Sequence, residues 1–321
     1  MGRNHRPVLS AKDIDGRELL APLSKTLCLP QHCTFDPLDA QPLQVDLASA
    51  EEKQVFSSHS SFLLPCDHLC HATRNRRSVG YAHEVHKFTV HAQVAESLND
   101  SLAAMALERE RRARAPDESE FNARLSNWGG FQSRHDLFIE RANDAELGKL
   151  MGCRELQRIA SIAMDTLCAK RTPSRKNGEL CTGVAWANVN RPRDLNFLHL
   201  HEPNAWSGVY FVRSGPPPPS GAPATAGHLV FRCGRARRPS DGDESGGSSE
   251  DAASHSYMAV PPAPGTLWCF PGTVPHCVFP IERGSGDARD EEEETFDAAT
   301  ARISIAINFD DRCPSPVPIS S

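Results

Sequence analysis

Asn196-Phe-Leu-His199-Leu-His201-Glu-Pro-Asn-Ala-Trp-Ser207-Gly-Val-Tyr-Phe-Val212 is the stretch whose reading decides the fold. Successive side chains of a strand point to opposite faces, so residues two apart share a face about 6–7 Å from each other. His199 and His201 therefore project together, with Leu200 turned away, and two imidazoles so placed can close on one metal ion. Ser207 to Val212 is β-branched and aromatic and reads as a strand. A third imidazole is offered by His276, in Gly265-Thr-Leu-Trp-Cys-Phe-Pro-Gly-Thr-Val-Pro-His276-Cys-Val-Phe-Pro280, which reads as strand, tight turn, strand. An adjacent pair and one distant residue make a three-point facial site with open positions.

Outward from this centre, residues 181–309 are strand-like with turns. Gly227-His-Leu-Val-Phe-Arg232 and Ala301-Arg-Ile-Ser-Ile-Ala-Ile-Asn-Phe309 are short strands of the kind that build an all-β barrel or a double-sheet jelly roll. Three segments, 214–226, 235–256 and 282–299, are rich in Pro, Gly, Ser or acidic residues. They cannot bury enough apolar area to order themselves and are expected as loops inserted in one domain. On the Arg302-Ile-Ser304 strand, Arg302 and Ser304 share a face. An arginine beside a hydroxyl is suited to a carboxylate, through a bidentate charge-assisted pair and one further hydrogen bond.

Before the strands, Val94, Leu98, Leu102 and Met105 recur at helical spacing, and Glu108 to Arg114 reads as the solvated end of that helix. A second helix is expected over 144–169, its apolar stripe formed by Leu147, Met151, Leu156, Ile159, Ala163 and Leu167. The two should pack outside one sheet. Residues 1–80 are weakly patterned and are expected as an N-terminal extension, partly disordered, with the domain proper over 81–310 and a tail over 311–321. Within the extension, Cys66, His68, Cys70 and His71 follow Cys28, His32 and Cys33, but their spacing fits no standard zinc pattern.

Composition excludes several classes. The net charge of −6 argues against a nucleic-acid surface, and no run of 18 apolar residues offers a membrane span. The mean hydropathy of −0.45 is that of a soluble protein. The start of the chain has no apolar core for export, so eleven cysteines read as reduced thiols in a cytoplasmic or nuclear setting. Nucleophilic catalysis fits poorly, because no ordered Cys/His/Asp set is present.

Four motifs occur in one order: Ser126-Asn-Trp-Gly-Gly-Phe-Gln-Ser133, then His199-x-His201 leading to Ser207-Gly-Val-Tyr210, then Phe270-Pro running to His276, then Arg302-Ile-Ser304. In this order the chain resembles the iron(II)/2-oxoglutarate-dependent oxygenases, over residues 81–310. The resemblance implies a mainly β, cupin-like double-stranded β-helix with flanking α-helices. It also implies Fe(II) as metal, 2-oxoglutarate as co-substrate, and molecular oxygen and an organic molecule as further reactants. On it, His199, His201 and His276 are the metal ligands and Arg302 and Ser304 the anchor for the far carboxylate of 2-oxoglutarate. Asn196 and Tyr210 are candidate lining groups for the co-substrate, with strand-end hydrogen bonding and core packing as their plainer readings; Asn308 is weighed alongside them.

One departure is informative. The family's usual triad is His-x-Asp/Glu with a distal His, and here His201 takes the acid's position. Glu202 is adjacent, but an immediate neighbour on a strand faces away. The expectation is a three-histidine site, similar to that of the thiol dioxygenases, with a two-histidine site completed by water as the alternative. Two other classes are open. One is a barrel that binds a metal or ligand without turnover, and Arg302 with Ser304 counts against it, since a structural metal needs no carboxylate anchor. The other is an interaction scaffold on a degenerate barrel, which the loss of any one of the three histidines would favour, and none is lost. Pairing of two copies through sheets and outer helices is open.

Overall fold

Alternation with period two sorts each long strand into two faces. In Arg302–Phe309, Ile303, Ile305, Ile307 and Phe309 fall on one side, and Arg302, Ser304, Ala306 and Asn308 on the other. The first set packs with two helices in one continuous core, whereas the Arg302 guanidinium lies 5.2 Å over the Phe211 ring, in the core between two sheets. These relations come from a computed structural model that describes residues 11–12, 18–19, 42–66, 81–115, 122, 125–138, 147–169, 183–201, 204–218, 220, 223, 225–235, 255–280, 300–309 and 319–320.

The elements, in chain order, begin with β1 (Ala11–Lys12), β2 (Glu18–Leu19), β3 (Leu43–Gln44), α1 (Ala50–Val55), β4 (Phe56–Cys66), β5 (Tyr81–Val90) and α2 (Ala92–Ala113). Next come β6 (Asn127–Trp128), β7 (Phe131–Gln132), α3 (Leu147–Ala169), β8 (Gly183–Asn190), β9 (Leu195–His199) and β10 (Trp206–Ser214). The last are β11 (Leu229–Arg235), β12 (His255–Val260), β13 (Thr266–Pro271), β14 (His276–Val278), β15 (Arg302–Phe309) and β16 (Ile319–Ser320).

A nine-stranded sheet runs β3-β4-β5-β13-β10-β15-β8-β7, with β16 also paired to β5, and a five-stranded sheet runs β12-β11-β14-β9-β6. From β8 to β15 the chain alternates between the sheets except at the paired β11 and β12, placing β13-β10-β15-β8 in one and β12-β11-β14-β9 in the other. That order, antiparallel throughout, is the double-stranded β-helix expected from the sequence. Helices α2 and α3 cover the outer face of the larger sheet, burying Leu98, Leu102, Leu156, Ile159 and Ala163 with Ala185, Tyr210, Leu267 and Ile305. Val209, Phe211, Phe231, Trp268, Phe270 and Val274 fill the space between the sheets.

Two expectations are corrected. Residues 42–66 are not an extension: β4 pairs along its length with β5, and α1 begins with a capping box in which Ser49 Oγ accepts from the Glu52 N–H. The strand is hard to see in Phe56-Ser-Ser-His-Ser-Ser-Phe, whose polar residues include the buried His59, Ser60 and Ser61. Nor is the end of α2 wholly solvated, because Glu110 is 1% exposed. Its carboxylate takes both terminal nitrogens of Arg191, in the β8–β9 turn, and a bond from Arg114. The expected loops at 235–256 and 282–299 lie mostly outside the described residues, as do Asp67–His71 and 144–146, though Arg235, His255 and Ser256 belong to strands.

Candidate active site

His276 at the start of β14 sits directly opposite His199 at the end of β9, which brings the distant histidine to the adjacent pair. The same ladder matches Val278 to Asn196, so two steps on β14 face three on β9. This is a β-bulge, and it re-aims side chains where the ladder slips. Strict alternation would put Asn196 and His199 on opposite faces. The bulge lets both turn inward, and Phe197 and Leu198 are left 40% and 47% exposed.

The ring nitrogens of His199, His201 and His276 lie within 4.8 Å of one another. His201 Nε2 and His276 Nε2 are 3.1 Å apart. Two nitrogens each about 2.1 Å from a shared ion and at right angles to it would be about 3 Å apart, so His201 and His276 are spaced as two ligands of one small divalent ion, with His199 beside them. Two of the rings are held from behind. His199 Nδ1–H donates to the Phe197 carbonyl at 2.6 Å, and His276 Nδ1–H to the Val274 carbonyl at 3.0 Å. Each bond fixes the tautomer that leaves Nε2 free for a metal. His201 differs: among the described residues its Nδ1 makes no hydrogen bond. Its backbone is fixed by Gly272, whose carbonyl accepts the His201 N–H at 2.9 Å, and its ring lies 5.6 Å from Trp186, on which His135 stacks at 4.0 Å. Glu202 is outside the described residues.

Burial disfavours the charged form of all three imidazoles. It lowers His199 below its ordinary value, takes His201 down to about 3, and pushes His276 well below, with the neighbouring histidines adding to the last two. All three are thus neutral at physiological pH, the state in which imidazole binds a metal.

Arg302 is 1% exposed and has no acidic partner among the described residues. Its Nη1 reaches Ser304 Oγ at 3.5 Å, while Nε and Nη2 are buried without an acceptor. Burial lowers its pKa to about 10, which leaves it charged at neutral pH. An uncompensated buried cation costs several kcal/mol in general, so the site is built to receive an anion.

The remaining candidates divide. Asn196 is inside, accepting from Asn190 Nδ2 at 3.3 Å and donating to Ser126 Oγ at 3.4 Å. Asn308 is also inside, where its Oδ1 accepts from Ser207 Oγ at 2.9 Å. Tyr210 is not, and its reading as a lining group is corrected. It lies opposite Ile305, packs with the helices, and donates its hydroxyl to Asn99 Oδ1 of α2 at 2.8 Å. Period two already separates it from Val209 and Phe211. The sequence reading also missed Asn188 and Asn190, which face Ser304 and Arg302 across β8–β15. The polar residues alternating with Val189 in Ala187-Asn-Val-Asn190 were the available signal.

Residues 184–289 match a family described as "Putative 2OG-Fe(II) oxygenase". Over these residues the chain is similar to the 2OG-Fe(II) oxygenases. Members of that family are enzymes that use Fe(II) and 2-oxoglutarate, and the three histidines here can hold the iron. No curated protein matches the chain by sequence. Among solved structures, the chain is similar to a prolyl-4-hydroxylase from Pseudomonas putida, at 19% identity over 66% of this chain and 86% of that one, with a TM-score of 0.35. It is also similar to AviO1 from Streptomyces viridochromogenes Tue57, at 16% identity over 77% of this chain and 100% of that one, with a TM-score of 0.40. A third likeness is to SnoK, a non-heme alpha-ketoglutarate-dependent carbocyclase of nogalamycin biosynthesis, at 9% identity over 88% and 97% of the two chains and a TM-score of 0.40. The strand order, rather than these likenesses, establishes the fold.

Proposed function

We propose that the protein is a 2-oxoglutarate-dependent dioxygenase that hydroxylates a C–H bond of an organic substrate while 2-oxoglutarate is split to succinate and carbon dioxide. One atom of molecular oxygen enters the product and the other enters succinate. Fe(II) supplies the oxygen activation when it is bound. The observation that carries this reading is the pairing of a neutral three-histidine cluster with a buried guanidinium that has no acidic partner among the described residues, in one interior.

The chain's own residues divide the work. His199 and His276, each locked by a carbonyl, offer Nε2 in fixed directions, and His201 completes a face of three nitrogens. Arg302 and Ser304 take the far carboxylate of 2-oxoglutarate, and the bidentate fork also sets its direction. Phe211, beneath the guanidinium, and the other aromatic residues between the sheets exclude water, which strengthens that pair. His201 in the acid's place removes one negative charge from the ligand set, leaving the metal site more cationic.

The test is stoichiometric. Purified protein with Fe(II), ascorbate and 2-oxoglutarate should form succinate and consume oxygen, slowly even without the organic substrate. His199→Ala and Arg302→Ala should each abolish this. Turnover that persists in both variants would refute the assignment.

A further inference from the structure

The interior holds a second polar feature that neither metal binding nor the carboxylate anchor uses. Four carboxamides converge there from three strands: Asn127 of β6, Asn188 and Asn190 of β8, and Asn196 of β9. All are more than nine-tenths buried, at 7%, 7%, 1% and 6% exposure. Their facing is set by the ladders. Asn190 lies opposite Arg302 and Asn188 opposite Ser304, so both point into the space between the sheets. Asn127 lies opposite Asn196, which the bulge turns inward beside His199. The bond from Asn190 to Asn196 crosses from one sheet to the other and joins the two pairs.

Much of this polar capacity is unspent. Asn127 has neither a donor nor an acceptor for its Oδ1 and Nδ2, and the Oδ1 atoms of Asn188 and Asn190 are likewise buried without partners among the described residues. Buried polar groups are normally paired, and an orphan is destabilising. Such a concentration in one place, between the metal histidines and the carboxylate anchor, marks a place that a ligand fills. The surplus includes acceptors as well as donors, and a carboxylate could satisfy only the donors. Arg302, opposite Asn190, is taken by the far carboxylate of 2-oxoglutarate on the dioxygenase reading, which leaves the amides to a neutral group.

We propose that Asn127, Asn188, Asn190 and Asn196 form the recognition wall for the organic substrate, and that the substrate presents to it a neutral group able both to donate and to accept, a carboxamide or a hydroxyl. This rests on the dioxygenase reading for the identity of the bound molecule as substrate. The wall lies one strand from His199, so the group it grips is held close to the carbon that is oxidised. The substrate class is accordingly an uncharged, hydrogen-bonding one at this position, and simple carboxylic acids are disfavoured.

The experiment is ligand-observed saturation-transfer NMR on the full chain, in the metal-free state and again with Zn(II) and 2-oxoglutarate. The probes are acetamide, glycerol and acetate. Acetamide or glycerol should give a saturation signal in both states, whichever is stronger naming carboxamide or hydroxyl chemistry, and acetate should give none once 2-oxoglutarate occupies Arg302. The signal should fall at least about fivefold in Asn127→Leu and Asn190→Leu, with Asn127→Ser and Asn190→Ser as milder variants if the leucines fail to fold. Unchanged signals in folded variants would overturn the proposal, as would acetate binding in preference to acetamide, or no probe binding at all, which would leave the wall to water. Loss of 2-oxoglutarate affinity in the same variants would also overturn it, by assigning the amides to the co-substrate. Failure of the dioxygenase reading is separate: it appears as wild-type protein that binds neither Zn(II) nor 2-oxoglutarate, whatever the acetamide signal.

Discussion

His199 donates its Nδ1–H to the carbonyl of Phe197, two residues earlier on the same strand, at 2.6 Å. The contact falls where the β9–β14 ladder slips, between Asn196 and His199. It makes His199 a ligand of fixed tautomer and direction. His276 is fixed in the same way by Val274, and His201 is not.

Unequal support gives unequal ligands. Groups that hold the far nitrogen of a metal-bound histidine are worth about 10–100-fold in metal affinity. His199→Ala and His276→Ala should each weaken Co(II) or Fe(II) binding by more than about 100-fold, and His201→Ala by about tenfold. Calorimetric titration with Co(II) measures all three. Equal losses would show that the His201 ring is held as firmly as the others.

Arg302 should be a liability until its ligand arrives. Arg302→Met removes a buried charge with no acidic partner among the described residues and keeps most of the volume, so the protein without co-substrate should gain roughly 1–3 kcal/mol in stability. The same variant should lose the stabilisation that 2-oxoglutarate gives to the wild type. Denaturant melts with and without 2-oxoglutarate test both signs.

The Glu110–Arg191 pair ties α2 to the turn that leads into β9. Breaking it from one side leaves a charge buried, so Glu110→Ala should cost about 3–5 kcal/mol. The double variant Glu110→Leu with Arg191→Met should recover most of that loss. A cost below about 1 kcal/mol for the single variant would mean that water reaches Arg191.

The metal-free protein should lose stability as pH falls below neutrality. In the unfolded chain the three histidines take up protons near pH 6.5, whereas in the folded chain His201 does so only at about 3 and the other two also below their ordinary value. The unfolded state therefore binds more protons throughout that window, and stability declines from about pH 6.5 toward 3. Asp194, which burial raises to about 6, works in the opposite direction below that pH, whereas His135 and His228, also lowered by burial, add to the decline. Melting temperature against pH in chelator-treated protein, compared with His201→Ala, should show a shallower decline in the variant. Identical slopes would contradict the histidine origin.

Much of the site was legible because it depends on short-range periodicity. Two-residue spacing puts His199 with His201 and Arg302 with Ser304, and the Pro-Gly turn before His276 marks the strand that returns to them. The β-helix followed from strand spacing and the resemblance together. What escaped was set by tertiary pairing. A slip in one ladder decides that Asn196 faces inward, and Tyr210 was misplaced although alternation alone would have sent it to the helices. Nothing in Phe56–Cys66 announces an edge-to-centre strand, since its histidine and serines are buried by β5 rather than by their own apolarity. Glu110 reads as solvent-facing within a run of charges until Arg191 is brought from 81 residues away. Gly129 gains its meaning from space: at φ +86° it packs on Asp194 of the β8–β9 turn, where a side chain would collide.

The most direct test of the central claim is anaerobic addition of Fe(II) and then 2-oxoglutarate to the purified protein, followed by visible absorption. A weak charge-transfer band of the keto acid chelated to iron should appear only with both components, vanish in His276→Ala, and require far more 2-oxoglutarate in Arg302→Met. Tight Fe(II) binding with no band at any 2-oxoglutarate concentration would contradict it and leave a metal-binding β-helix without this co-substrate.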